Sequence, residues 1–312
     1  MGQFLARRLL QIIPLLLGIT VMVFLLVNAV PGNPVGEYIL NPGTRPEDVE
    51  RLKRSLGLDQ PLYKRYFTWL GNVVQGDLGQ SMKSYRPVRG EILSRLPNTL
   101  KLTVAAFVLA LVFAIPVGVY TAVRRNSWFD YTATLASVAG ISIPRFWFGL
   151  LLILLFSVRL NVLPSSGTGS GFFDQLKHLI MPAVTLAIVE IAGWTRYIRG
   201  QMLEVIRQDY IRTATAKGLR ERVVIFRHAL RNALLPLVTL FGLAIPEFFS
   251  GALIIETIFS WPGIGRLTFD AAQSRDYTMI MGTVLFSSTL VILGNLLADV
   301  AYGLLDPRIK QS

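Results

Sequence analysis

The sequence predicts an all-α polytopic membrane protein: six transmembrane helices, both termini cytoplasmic, and a small external helical subdomain between the first two spans. Three observations predict it. Of 312 residues, 52% are hydrophobic and only 16% charged, against about a quarter charged in soluble domains. Six apolar runs reach the roughly 20 residues that cross a bilayer core. Many of the basic residues flank those runs where the positive-inside rule places them; the external segment also holds many Lys and Arg, but it is longer than the roughly 60 residues over which that rule is reliable. Mean hydropathy is +0.51. The net charge of +12 therefore belongs to membrane flanks, and nucleic acid is not an expected partner. There is no cysteine, which excludes disulfides and cysteine-based metal sites.

Residues 1–30 form the first span, Leu9 to Val30, with Arg7 and Arg8 before it. Pro14 and Gly18 interrupt the run, as membrane helices tolerate. Small residues around Ala29 resemble a leader cleavage site, but the run is longer than a leader's apolar core, so a retained helix is preferred. Residues 31–97 are the external subdomain. Turn residues (Pro31-Gly32-Asn33-Pro34) come first, then an amphipathic helix from Pro46 to Leu56, stopped by Gly57. A second helix, Pro61 to Val74, carries Tyr63, Tyr66, Phe67 and Trp69. Packing on neighbouring helices is the default for such aromatics, ahead of a membrane surface or a partner.

The five-helix core covers residues 98–305. Span two runs from Asn98 to Val123 and ends at Arg124-Arg125. Span three, Asp130 to Leu160, is broken at Ser142-Ile143-Pro144-Arg145. Arg145 has two equal readings: a pathway or helix-break residue, or a bend residue that snorkels or pairs. The glycine-serine run in Asn161–Lys177 lacks the ending of a phosphate-binding loop, so a flexible external loop is expected. Span four, Leu179 to Arg196, contains Glu190, an intramembrane carboxylate and so a functional candidate. Pairing with Arg196 or Arg199 ranks slightly ahead. Span five, Asn232 to Ile255, holds Pro236, Pro246, Glu247 and Ser250, with Glu256 at its end. Phe259 to Gly265 reads as a tight external turn with interfacial Trp261. Span six, Tyr277 to Tyr302, precedes a cytoplasmic tail, 306–312.

Between spans four and five lies a basic cytoplasmic loop, 201–232. Asp209 to Gly218 reads as a short helix closed by glycine, with Asp209 as its cap, and Glu221 to Leu230 as a second helix. Thr213, Ala214, Thr215 and Ala216 are small enough to let a partner's backbone approach. The bland reading, a solvated loop held by its charge, carries equal weight on pattern alone.

The chain shows little chemistry of its own. His178 and His228 fall on opposite predicted sides of the membrane, and no metalloprotease or serine-hydrolase motif occurs. It is not expected to be an enzyme or to hold a metal. A bundle that transports without hydrolysing nucleotides needs an outside source of energy, and a knob-like loop suits a motor's grip.

The residues Asp209 to Leu219 (DYIRTATAKGL) with His228 to Pro236 (HALRNALLP) resemble the coupling-loop signature of binding-protein-dependent ABC importer permeases, in the dipeptide and oligopeptide branch. Leu56 to Leu62, Gly76 to Gly79, Gly251 to Gly265, Arg275 to Tyr277 and Leu305 to Arg308 agree with it in order along nearly the whole chain. One departure stands: Arg212-Thr213-Ala214 replaces the general loop's Glu-Ala-Ala, a variation the peptide branch shares.

The resemblance implies the ABC type I importer permease fold in a bacterial inner membrane. It implies a second homologous permease subunit, two cytoplasmic ATPase subunits that hold ATP and Mg, an external solute-binding protein and membrane lipid as partners. Docking is then expected at Tyr210, Ala214, Ala216 and Lys217, beside Asp209, with Gly218 setting the turn. Arg145, Glu190, Glu247, Ser250 and Glu256 are the pathway candidates. Peptides are the expected solute. Nickel chelates or glutathione are the alternatives in the same class, and an ATP-independent carrier or scaffold the alternative outside it.

Overall fold

The computed structural model describes residues 2–29, 47 and 59–305. Apart from Glu47, the helix expected over Pro46–Leu56 lies outside them, as do the first three residues of the Leu56–Leu62 motif and the Asp306–Arg308 ending. The described residues form helices and connections without a strand; one isolated bridge joins Gln80 and Pro87. The helices are α1 (Gly2–Ala29), α2 (Leu62–Val74), α3 (Val88–Val123), α4 (Trp128–Ser142), α5 (Arg145–Leu152), α6 (Phe172–Ile206), α7 (Asp209–Ala216), α8 (Glu221–Val223), α9 (Leu230–Ala233), α10 (Leu235–Ile258), α11 (Ile264–Gln273) and α12 (Tyr277–Leu305). Wider π-helical turns continue α5 over Ile153–Arg159 and join α8 to α9 over Val224–Ala229.

Among the described residues, five helices are long and apolar enough to cross a membrane: α1, α3, α6, α10 and α12. A sixth crossing exists if α4 and α5, bent by 107° at their junction, count as one span. Ile143 is extended there, as a residue before proline must be, and Pro144 opens α5. Three boundaries differ from expectation. Helix α3 begins at Val88, ahead of Asn98, and carries Pro97 within it; the proline removes one backbone donor and the helix continues past it. Helix α6 begins at Phe172, inside the expected loop. The second helix of the basic loop is not one helix but α8, a π-helical stretch and α9.

Contacts divide the chain into two compact units, one of Gly2–Pro97 with Gly263–Leu290 and one of Asn98–Pro262 with the residues from Val291 onward. In the first unit, Phe24 of α1 packs against Tyr66 and Trp69 of α2 at centroid distances of 5.4 and 5.9 Å. Val88, Ile92, Ile264, Ala271 and Met279 form a separate core. Asp276 fastens it: Ser81 Oγ donates to its Oδ2, and the Met82 and Met279 amides donate to its Oδ1 at 3.1 Å each.

The second unit is built on close helix approach. Leu102, Ala106, Ala110 and Ala114 recur every fourth residue on α3 and are wholly buried, so a neighbouring backbone can lie against that stripe. Gly118 extends it; a Cβ there would meet Ile198 at 2.7 Å. Phe107 meets Trp194, Phe241 and Phe248 edge-on beside it, and Trp194 and Phe241 lie tilted against each other only 4.6 Å apart.

Two loops in this unit are tied down. The glycine-serine run is pinned where Gly167 N–H donates to Phe259 O at 3.0 Å and Ser170 N–H to Asp174 Oδ2 at 2.8 Å. Trp261 is not interfacial. It is buried, with Nε1–H donating to Asn98 O at 2.9 Å, while Asn98 Nδ2–H donates to Pro262 O at 3.0 Å. The turn residues suggested a surface, but the indole finds its polar partner inside the protein.

Candidate coupling knob and intramembrane charge cluster

Gln208 is extended and starts α7; Asp209 is the first helical residue, not its cap, and makes no capping bond. Its carboxylate lies 3.4 Å from Arg212 Nη1 at the exposed surface, where such pairs contribute little. Thr213 and Thr215 turn their hydroxyls back onto Asp209 O and Ile211 O, at 2.9 and 3.0 Å. Ile211 and Ala214, three apart, are buried in the chain's own core. Ala214 therefore seats the helix, and its methyl does not face outward. Tyr210, Ala216, Lys217 and Gly218 remain exposed. Gly218 has φ +77°, and its N–H bonds Thr215 O at 2.9 Å. Open space surrounds a Cβ there, so it is the left-handed backbone that calls for glycine. Asn232 Nδ2–H donates to the Tyr210 hydroxyl at 3.0 Å and to His228 O at 2.9 Å, closing the knob at its base. A cavity of about 580 Å³ lies behind α7, among Val123, Ile206, Ile211, Ala216, Val224 and Ala229.

The pathway candidates separate into two groups. Arg145, at the start of α5, places Nη2 2.9 Å from Glu190 Oε1 on α6 and 3.8 Å from Glu247 Oε2 on α10. The bend before α5 is what presents one guanidinium to two other helices. Gly251 makes room for it: a Cβ there would lie 2.7 Å from Arg145 Nη1. Ser250 is exposed one turn from Glu247 and donates to its carbonyl at 3.2 Å. Glu256 stands apart, wholly buried, accepting from Thr99 Oγ1 at 2.7 Å. The expected pairing of Glu190 with Arg196 or Arg199 is corrected. Arg145 takes Glu190, and Arg199 makes a two-pronged bond to Asp130, Nε to Oδ1 at 2.6 Å and Nη2 to Oδ2 at 2.8 Å.

Asp130 was missed as a paired residue. Ser127 three places before it carries a helix-start signal, and Ser127 Oγ does accept from Asp130 N at 3.2 Å. Nothing local pointed to its arginine 69 residues away. Asn232 was passed over because it reads as an ordinary span boundary.

The family described as "Binding-protein-dependent transport system inner membrane component" matches residues 114–311. Its N-terminal counterpart, "Binding-prot-dependent transport system membrane comp, N-term", matches residues 1–103. The chain is 47% identical over 316 residues to "Oligopeptide transport system permease protein AppB" of Bacillus subtilis (strain 168), covering 99% of this chain and 100% of that one. It is 44% identical over 336 residues to "Dipeptide transport system permease protein DppB" of Escherichia coli (strain K12), covering 99% of each. With "Glutathione transport system permease protein GsiC" of Escherichia coli O6:H1 it shares 42% over 310 residues, again 99% of each. A chain of the inward-facing MetNI methionine ABC transporter aligns with TM-score 0.53 at 17% identity, covering 67% of this chain and 95% of that one. That likeness gives the fold, an ABC type I importer permease. With its membrane-crossing helices and this full-length kinship, the chain belongs to the binding-protein-dependent transport system inner membrane component family.

Proposed function

We propose that the chain is one of two homologous permease subunits of a peptide importer, and that the path for a di- or oligopeptide forms between them. The observation that carries this reading is the likeness, over essentially the whole chain, to oligopeptide and dipeptide permeases. An external solute-binding protein delivers the peptide, and two cytoplasmic ATPase subunits holding ATP and Mg supply the energy. Both termini lie on the cytoplasmic side of a bacterial inner membrane. The glutathione permease matches almost as well, and glutathione is itself a short peptide, so it is the second reading.

The exposed knob suits a motor's grip. Tyr210, Ala216 and Lys217 offer the docking surface, Gly218 sets the turn, and Ile211 with Ala214 anchors α7 in the bundle. A push on α7 is then felt by α6 and α10. ATP acts by binding one arrangement of the motors more tightly than the other, which biases the permease between its two states. Arg145, Glu190 and Glu247 are the pathway group, with Ser250 beside them.

The test is recovery of the assembly. The chain purified in detergent should bring down ATPase subunits, and a chain recovered without them in a transport-competent membrane would favour an independent carrier. The Gly218→Pro variant should insert normally and lose peptide uptake, because proline cannot adopt positive φ. Uptake at the wild-type rate would remove α7 from the coupling role.

A further inference from the structure

Helix α2 falls in the segment whose sequence reads as external, yet its contacts place it at membrane depth. The Tyr66 hydroxyl lies 3.0 Å from Thr20 Oγ1, and the Tyr66 and Trp69 rings pack on Phe24. Thr20 and Phe24 are inside the first span, which runs Leu10–Ala29. Every residue from Val21 to Val27 is apolar, and Met22, Leu25 and Leu26 are exposed among them. The hydrocarbon boundary therefore falls no earlier than Asn28. At about 1.5 Å per residue, Thr20 lies roughly 12 Å below that boundary, in a half-core of about 15 Å. A helix lying wholly in water would meet α1 at its end and not at Thr20.

The sides of α2 agree with that depth. One flank, Tyr66 and Trp69, faces α1. A second, made by Tyr63, Phe67 and Val74 at helical spacing, is apolar and 62–80% exposed. The third carries Lys64, Thr68 and Asn72. Strong segregation, moderate overall hydrophobicity and aromatic residues on the apolar side are the marks of a helix lying in an interface.

We infer that α2 is a membrane-embedded interfacial helix whose Tyr63–Phe67–Val74 flank is covered by lipid acyl chains. The occupant is lipid because the apolar flank continues at the depth of the exposed apolar residues of α1, while the polar flank gives the helix a water-facing side.

The chain contains no cysteine, so each introduced cysteine is the one thiol of this chain, and label on the partner subunits is subtracted with an importer that carries the native chain. Tyr63→Cys, Phe67→Cys, Thr68→Cys and Asn72→Cys would be labelled in the intact importer, reconstituted in phosphatidylethanolamine–phosphatidylglycerol bilayers and retaining uptake. Labels at 63 and 67 should collide with oxygen more than with a water-soluble nickel chelate, and the order should invert at 68 and 72. Nickel access at 63 and 67 equal to that at 68 would overturn the inference in favour of an aqueous helix. Low access to both reagents at 63 and 67 would overturn it in favour of a protein partner.

Discussion

Two arginine–carboxylate sites in one unit use the same groups to different ends. At Asp130 the guanidinium of Arg199 meets both carboxylate oxygens at 2.6 and 2.8 Å, and the Asn126 amide adds a bond at 3.0 Å. The aspartate side chain is 3% exposed. At Arg145 a single nitrogen is set between two carboxylates, 2.9 Å from Glu190, which is 10% exposed, and 3.8 Å from Glu247, which is 64% exposed. The first site is closed and its charges balance. The second sets two carboxyl groups against one guanidinium and opens on one side. Matched geometry makes a clasp that fixes α4 to α6; an unmatched one leaves a carboxyl group on the open side of the cluster.

Breaking the closed site should have the largest effect on folding. Arg199→Ala strands Asp130 in a buried place, and removal of one partner from such a pair costs about 3–5 kcal/mol. Thermal unfolding in detergent should shift accordingly; an unchanged midpoint would erase the contrast between the two sites. Arg145→Leu should follow, with a smaller loss of stability because Glu247 is the open, more distant partner of the cluster, but with uptake abolished in assembled complexes. Wild-type uptake by that variant would take Arg145 out of the pathway group.

Gly251→Ala sharpens the same point without touching a charge. The added methyl enters the guanidinium's place, and crowding of this kind costs roughly 1–3 kcal/mol. Uptake should fall further in this variant than in Gly193→Ala, where a Cβ meets nothing within 4 Å. Equal uptake in the two would mean that the arginine's placement is immaterial. The smallest stability change belongs to Glu247→Gln, within about 1 kcal/mol for so exposed and distant a partner. Its uptake should nonetheless change relative to wild type, and loss of neither stability nor uptake would make the open carboxylate incidental.

Local chemistry made much of this readable in the sequence. Pro144 after an apolar run marked the break in span three, Gly218 marked the end of α7, and the places of the spans followed from hydropathy, although α3 and α6 run well beyond the apolar stretches that marked them. What the sequence hid depends on distant neighbours. Glu190 had two arginines close by in sequence, yet the one that reaches it is 45 residues away, across a bend whose angle no local signal encodes. Trp261 sits among proline and glycine, which resembles a surface turn until Asn98 is seen to accept its N–H. Helix α11 escaped notice because its short amphipathic pattern follows directly on that turn. Ala214 looked like part of a docking face because small residues on both sides of a helix read alike; only the packing of Ile211 shows which side is inside.

The burial of Trp261 also gives the chain an optical contrast. Trp261 and Trp194 are shielded within the second unit, whereas Trp128 at the head of α4 is 80% exposed. Iodide added to the aqueous phase reaches only indoles open to water, so emission from Trp261 survives quenching for as long as its hydrogen bond to Asn98 keeps that junction shut. In a variant that keeps Trp261 as its one tryptophan, a rise in the quenchable fraction would report that residues 98 and 261 have parted.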